Sequence, residues 1–235
     1  MNHNQPTEIM HFSDVLCIWA YVAQIRIDEL KSKFGSQIAL NYHFLPVFGA
    51  VEKKIATAWK DRDGYAGYSR HVKEIAADFE QVRVHPEIWT RNIPCSSASC
   101  HLFLKAVQLL EQRGELSEDS VPDNPGGSLF ERVVWDFRES FFKDLVNISE
   151  FGAQIEISER IGLPTNKIRA LIDNGEAFAA MMSDVEAKDQ HQVAGSPTLI
   201  LNQGRQKIYG NVGYRVIEAN IQQLLHNPSD LASWC

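Results

Sequence analysis

A single cysteine, Cys17, has the residue type and the local setting of a nucleophile. It follows a β-prone run at residues 9–12 and opens residues 17–34, where apolar side chains recur at helical spacing. The free N–H groups and the dipole of a helix N-terminus stabilise a thiolate, so we expect the pKa of the Cys17 thiol to lie below its ordinary value. The alternative from position alone is a buried, inert cysteine.

The second candidate is the tetrapeptide Gly195-Ser196-Pro197-Thr198, which precedes the apolar run 199–201. A proline is sterically allowed at the start of a strand. A cis Ser196–Pro197 bond would expose the Ser196 backbone to an extended chain, although only about 5% of X-Pro bonds in folded proteins are cis. By itself the segment is typical of an ordinary strand start.

The elements around these residues predict a β-α-β unit, a long helical block and a β-β-α unit. Residues 9–12 and 38–45 read as strands flanking the first helix, which implies parallel pairing and a right-handed crossover. Residues 198–201 and 206–209 predict a hairpin. Between residues 51 and 192 the apolar residues follow helical periodicity, with a loop at 123–128. This order predicts two halves of one α/β sheet, at residues 1–50 and 193–235, interrupted by a helical insertion at 51–192.

Composition excludes several classes of function. The 235 residues hold 23 Lys and Arg against 30 Asp and Glu, a net charge of −7, which lacks the basic footprint of nucleic-acid or anionic-membrane binding. No apolar stretch reaches the length of a membrane span, and the first residues show no secretory pattern. We therefore expect a cytoplasmic, reducing setting, in which four cysteines do not form a disulfide scaffold.

Together, the two candidate segments resemble the DsbA-like thioredoxin-fold family. Residues 13–21 (SDVLCIWAY) resemble its Asp-x-x-Cys-Pro-Trp-Cys-Tyr segment, and residues 193–199 (VAGSPTL) resemble its Val-x-Gly-Val-Pro-Thr-Phe segment, which contains a cis proline. The segments at 44–46, 99–102 and 137–148 match in the same order. FrnE-type oxidoreductases look nearest, with 2-hydroxychromene-2-carboxylate isomerases and kappa-class glutathione transferases as relatives. The resemblance implies a thioredoxin-like fold interrupted by an all-helical insertion domain.

One departure from the family pattern decides the expected chemistry. Where the oxidoreductases have Cys-Pro-Trp-Cys, this chain has Cys17-Ile18-Trp19-Ala20. Because Ala20 cannot close an intramolecular disulfide, a two-cysteine cycle within this motif is excluded. What remains is monothiol chemistry, in which Cys17 forms a mixed disulfide that glutathione or another thiol releases.

The resemblance also implies the surroundings of Cys17. Trp19 would line the site, and the Ser196 backbone beside Pro197 would hold an extended substrate or glutathione, which is the expected co-substrate. No covalently bound cofactor is expected. The histidines show no metal-ligand spacing, so no metal site is expected either.

Two other functions and several features remain open. Cys17 could instead hold glutathione in an isomerase or transferase, as the serine of those relatives does, or the chain could be a non-catalytic peptide-binding module. Cys95 and Cys100 are interpreted as packing residues and Cys235 as part of a tail, so none is expected to resolve the intermediate. The sequence leaves open a homodimer and the identity of the thiol or disulfide substrate.

Overall fold

The computed structural model describes residues 6–116 and 127–226, and in these ranges the strands form one mixed sheet. The strands are β1 (Thr7–Ser13), β2 (Ile38–Phe44), β3 (Thr198–Leu201) and β4 (Gln206–Tyr209), in the order β2-β1-β3-β4. β1 pairs parallel with β2 and antiparallel with β3, and β3 pairs antiparallel with β4. The predicted β-α-β unit and hairpin are confirmed.

The remaining elements are helices. They are α1 (Ile18–Phe34), α2 (Val51–Ala58), α3 (Gly64–Ala77), α4 (Ala98–Gln112), α5 (Leu129–Phe142), α6 (Phe151–Arg160), α7 (Thr165–Asp173), α8 (Glu176–Gln190) and α9 (Tyr214–His226), with a 3-10 turn at Gly35–Gln37. In the described parts of residues 51–192 there is no strand, and no described helix is long and apolar enough to cross a membrane. Most of the predicted loop at 123–128 lies outside the described residues, as does Cys235.

The largest hydrophobic cluster crosses the predicted boundary after residue 50. Ile18 and Val22 of α1 are buried in the same cluster as Phe103 of α4 and Phe137 of α5. A second cluster, on the α9 side of the sheet, includes Ile9 and Ile221. The helical block therefore shares its core with the first half of the sheet.

A buried carboxylate attaches α8 to the edge strand β2. Asp184 Oδ2 accepts a hydrogen bond from the Phe44 backbone N–H at 2.8 Å, and Asp184 Oδ1 lies 2.9 Å from His43 Nδ1. Lys105 of α4 adds an ion pair to Asp184 at 3.0 Å. Since an edge strand has unpaired N–H groups, this carboxylate takes the place of a neighbouring strand at one position.

Candidate functional site

Cys17 is the N-cap residue of α1 and lies directly against the start of the β3 segment. Its buried thiol donates a hydrogen bond to the Ser196 carbonyl oxygen, with a sulfur–oxygen distance of 3.4 Å. The Cys17 carbonyl oxygen accepts the N–H groups of Ala20 and Tyr21, at 3.1 and 3.0 Å, which begins the helix. Two segments separated by about 180 residues in the sequence thus meet at the sulfur.

Ser196 holds the loop before Cys17 as well as the thiol. The Ser196–Pro197 peptide bond is cis. Ser196 Oγ accepts a hydrogen bond from the Asp14 N–H at 2.9 Å, and Thr198 Oγ1 donates to the Gly195 carbonyl at 2.6 Å. The backbone N–H of Ser196 makes no hydrogen bond within residues 6–116 and 127–226. A donor that can pair with an extended chain is therefore left beside the sulfur.

Asp14 is the hub of the loop, and it is fully buried. Its Oδ1 accepts the N–H of Leu16 at 2.8 Å. Its Oδ2 accepts the N–H of Phe48 and the hydroxyl of Ser97, both at 2.8 Å. Burial by itself raises the pKa of this carboxyl, but His101 and the N–H groups of Phe48 and Leu16 outweigh burial, so the pKa lies below its ordinary value.

His101 supports the same loop from α4. Its Nε2 accepts the N–H of Val15 at 3.2 Å and lies 3.6 Å from Asp14 Oδ1. The ring is fully buried and stacks on Phe44 with centroids 4.9 Å apart. Asp14 and His101 lie within the two segments, 13–21 and 99–102, that resemble the family, but the sequence alone did not predict their role in holding the loop.

The expected lowering of the Cys17 pKa is wrong. Burial raises the pKa of this thiol above its ordinary value, and the Asp14 carboxylate acts in the same direction. The Ser196 side chain and the N–H groups of Ala20 and Trp19 lower the pKa, but they do not outweigh burial. The helix N-terminus is present as predicted. The burial of Cys17 by side chains from distant segments could not be predicted from the local sequence.

Trp19, Cys95 and Cys100 differ in their exposure. Trp19 is partly buried in the first turn of α1, against the large core cluster. Cys100 is fully buried in α4, where burial raises the pKa of its thiol well above the ordinary value. Cys95 is an exposed free thiol in the loop before α4. Within the described ranges no group of three or more His, Cys, Asp or Glu side chains could hold a metal ion.

Arg138 of α5 is a buried charge that sequence reasoning missed, because an arginine in an amphipathic helix is usually assigned to the solvent face. Its guanidinium donates to Gln24 Oε1 at 2.9 Å and to Ser13 Oγ at 3.1 Å, at the end of β1. It makes no ion pair with the described residues. Burial lowers its pKa, while negative charge on Cys17 acts in the opposite direction. A fixed positive charge therefore lies beneath the loop that carries the sulfur.

Two cavities flank the site without Cys17 in their linings. A cavity of about 430 Å³ separates α1 from α5 and is lined by Tyr21, Asp28 and Trp135, among others. Another, of about 570 Å³, lies beside α2 and is lined in part by Tyr65 and Cys95. Neither lining includes Cys17, whose thiol instead contacts the Ser196 backbone.

Comparison with known proteins assigns the fold. The family model described as DSBA-like thioredoxin domain matches residues 8–222. The chain belongs to this family. Family membership and the observed sheet and helices confirm the predicted thioredoxin-like α/β fold with its helical insertion. No curated protein sequence matches the chain significantly.

Solved structures of this DSBA-like architecture span both redox and isomerase descriptions. A probable DsbA oxidoreductase from Streptomyces coelicolor superposes with a TM-score of 0.70 at 17% identity, covering 97% of this chain and 93% of its own. The cytosolic disulfide reductase DsbM from Pseudomonas aeruginosa, solved with GSH, superposes with a TM-score of 0.61 at 14% identity, covering 92% of this chain and 99% of its own. A 2-hydroxychromene-2-carboxylate isomerase superposes with a TM-score of 0.58 at 13% identity, covering 96% of this chain and 100% of its own. At these identities the likeness shows the fold alone.

Proposed function

We propose that this protein is a monothiol thiol-disulfide oxidoreductase in which Cys17 is the nucleophile and glutathione is the co-substrate. The observation that carries the proposal is the Cys17 sulfur, 3.4 Å from the Ser196 carbonyl, in a motif where Ala20 replaces the second cysteine. Membership of the DSBA-like family supports an enzyme of this general class.

The proposed reaction has two balanced exchanges. The Cys17 thiolate attacks one sulfur of a disulfide; the new S–S bond forms, the old one breaks, and the other sulfur leaves with the electron pair and takes a proton from solvent. A glutathione thiolate then attacks the substrate sulfur of the mixed disulfide and releases Cys17 as thiolate. When the bound half is itself glutathione, the product is glutathione disulfide and the net change is reduction of the substrate.

The raised pKa of Cys17 favours the reducing direction. A thiol exchanger becomes a strong oxidant when the protein stabilises its reduced thiolate. Here burial disfavours that thiolate, so the mixed disulfide is relatively stable and Cys17 is a poor leaving group. The neighbour described as a cytosolic disulfide reductase with GSH supports this direction, and we extend the proposal to a reducing, cytoplasmic setting.

The surrounding residues have proposed roles that follow from their contacts. The free N–H of Ser196, beside the cis bond to Pro197, pairs with the backbone of an extended substrate or of glutathione. Trp19 lines the approach to the sulfur. Asp14 and His101 hold the loop at Leu16 and Val15, so that the thiol keeps its position when the substrate arrives.

Mass spectrometry after incubation with glutathione disulfide tests the proposal. We expect one glutathione adduct on Cys17 and none in Cys17→Ser. Because Cys95 is exposed and Cys235 is a further thiol of the sequence, the experiment uses a Cys95→Ser, Cys235→Ser background, and the buried Cys100 is a control that stays unmodified. An intact Cys17 after prolonged incubation at alkaline pH would overturn the proposal.

The isomerase or transferase alternative and the binding-module alternative give different results. A glutathione-dependent isomerase needs a hydroxyl or thiol only to contact glutathione, so its turnover survives Cys17→Ser. A binding module shows an alkylation-resistant Cys17 together with tight capture of a peptide. The disulfide exchange proposed here requires the sulfur itself and is abolished by the same substitution.

A further inference from the structure

Tyr68 of α3 is a nearly buried tyrosine in an aromatic cluster next to the Cys17 loop. Its side chain is 7% exposed. Its ring centroid lies 5.9 Å from Phe48, 5.2 Å from Trp59 and 5.1 Å from Trp89. These contacts fix the ring from three sides, and they leave the hydroxyl as its one polar group.

The Tyr68 hydroxyl makes no hydrogen bond with any other residue of 6–116 and 127–226. Tyrosines that are buried to this degree usually direct the hydroxyl to a partner, because an unpaired buried donor is costly. The hydroxyl is also absent from the polar atoms that are both unpaired and completely enclosed. It therefore faces accessible space in which a ligand atom can lie.

The aromatic cluster adjoins the loop that carries Cys17. Phe48, on which the Tyr68 ring packs, donates its N–H to Asp14 at 2.8 Å, three residues before the thiol. Burial raises the pKa of Tyr68 well above its ordinary value, and the charges of Cys17 and then Asp14 act in the same direction. The hydroxyl thus stays protonated at neutral pH and remains a hydrogen-bond donor there. The Cys17 thiol itself bonds to Ser196 and not to Tyr68.

We propose that Tyr68 is a further catalytic residue, whose hydroxyl donates a hydrogen bond to the substrate sulfur that leaves when Cys17 attacks a disulfide. The inference rests on the proposed function and deepens it. The Cys17–sulfur bond forms, the substrate S–S bond breaks, and negative charge develops on the departing sulfur. The Tyr68 hydroxyl stabilises that charge by its hydrogen bond and keeps its own proton. The departing thiolate is protonated afterwards by solvent.

The test compares Tyr68→Phe with Tyr21→Phe in the Cys95→Ser, Cys235→Ser background. Tyr68→Phe removes the hydroxyl and keeps the ring packing. Tyr21→Phe is the matched control, because Tyr21 is also a buried aromatic and its hydroxyl bonds to the Arg83 carbonyl at 3.4 Å. For each protein, the rate of Cys17 modification is measured from pH 7 to pH 11 with glutathione disulfide and with iodoacetamide.

Tyr68→Phe is expected to slow the reaction with glutathione disulfide roughly ten- to a hundredfold, the size of one hydrogen bond to a charged group. Its iodoacetamide rate and the pH midpoint of both reactions are expected to match those of Tyr21→Phe. An unchanged rate with glutathione disulfide would overturn the inference and leave the proposed function standing. An equal fall in the rates with glutathione disulfide and with iodoacetamide would do the same. An unreactive Cys17 in the parent protein would overturn both.

Discussion

At the residue scale, Cys17 is subject to two opposing effects. The N–H groups of Ala20 and Trp19 favour the thiolate, as they do at other helix N-termini, while burial and Asp14 disfavour it more strongly. The position of the sulfur could be predicted from the strand-to-helix junction. The sign of its pKa shift could not, because it depends on the side chains that cover it from distant segments.

The raised pKa predicts an alkaline profile for Cys17 alkylation. Since the thiolate is the reacting form, the labelling rate at neutral pH should be lower than that of a free cysteine, and its pH midpoint should lie above that of a free cysteine. Iodoacetamide labelling of the Cys95→Ser, Cys235→Ser variant, followed by mass spectrometry across pH 6 to 11, measures this midpoint. A midpoint below that of free cysteine would contradict the account of burial.

Asp14 predicts a pH dependence of stability. Its folded-state pKa lies below the ordinary value, so its contribution to the free energy of unfolding is present above the unfolded pKa and is lost as pH falls through the folded one. Asp14→Asn removes this dependence and leaves the N–H of Leu16 or Phe48 facing an amide donor. We expect a loss of about 2 kcal/mol or more at pH 7 in urea unfolding.

Asp14→Asn should also lower the pKa of the Cys17 thiol. Because the Asp14 charge raises the pKa of Cys17, Asp14→Asn should move the pH midpoint of Cys17 alkylation to lower pH.

The control for the stability prediction is to measure urea unfolding of Asp14→Asn at pH 7 and at pH 3. The loss in the free energy of unfolding relative to the parent protein should be smaller at pH 3. A loss that is equal at both pH values would mean that the carboxylate charge contributes nothing.

At the element scale, Asp184 joins α8 and α4 to β2. Asp184→Ala leaves Lys105 as a buried cation without its ion pair and the Phe44 N–H without its acceptor. Breaking a buried ion pair on one side costs about 3–5 kcal/mol. We expect a loss of this size in the free energy of unfolding, measured by urea titration.

The exposed ion pair between Lys167 and Glu115 is the control for this substitution. Its side chains are 53% and 36% exposed, and exposed pairs contribute little. Glu115→Ala should therefore leave the unfolding midpoint nearly unchanged. An equally small effect of Asp184→Ala would contradict the role of Asp184 in attaching the helices to the sheet.

The apolar periodicity of the sequence predicted the bounds of helices and strands better than it predicted which of their side chains are buried. The strand at residues 206–209 is found at its predicted bounds, and the predicted helix at 17–34 begins one residue later, with Cys17 as its N-cap. In α8, however, Phe178 and Met182, two of the apolar residues at helical spacing, are 53% and 39% exposed. An apolar period identifies a helix and one of its faces, but it does not show which neighbour covers that face.

Contacts between distant segments were beyond sequence reasoning for a related reason. Arg138 reads as a solvent-facing residue, and its bond to Ser13 spans 125 positions. The free hydroxyl of Tyr68 depends on three rings from three segments. Local spacing contains no signal for such contacts, whereas the meeting of Cys17 with Ser196 was expected from the family resemblance.

At the scale of the whole molecule, the helical insertion shares the largest hydrophobic cluster with α1 and β2. The proposed division at residues 50 and 192 describes the order of elements along the chain, and the cluster joining α1 to α4 and α5 crosses it. We therefore predict one cooperative unfolding transition, with coincident curves from circular dichroism and from tryptophan fluorescence. Separate midpoints would show that the insertion folds as an independent unit.

The central claim is that one sulfur performs the exchange with glutathione. The most direct measurement is the steady-state reduction of a glutathionylated peptide with glutathione as reductant. The account predicts turnover proportional to enzyme concentration, retained in the Cys95→Ser, Cys100→Ser, Cys235→Ser triple variant and abolished in Cys17→Ser. Turnover that persists in Cys17→Ser would contradict it.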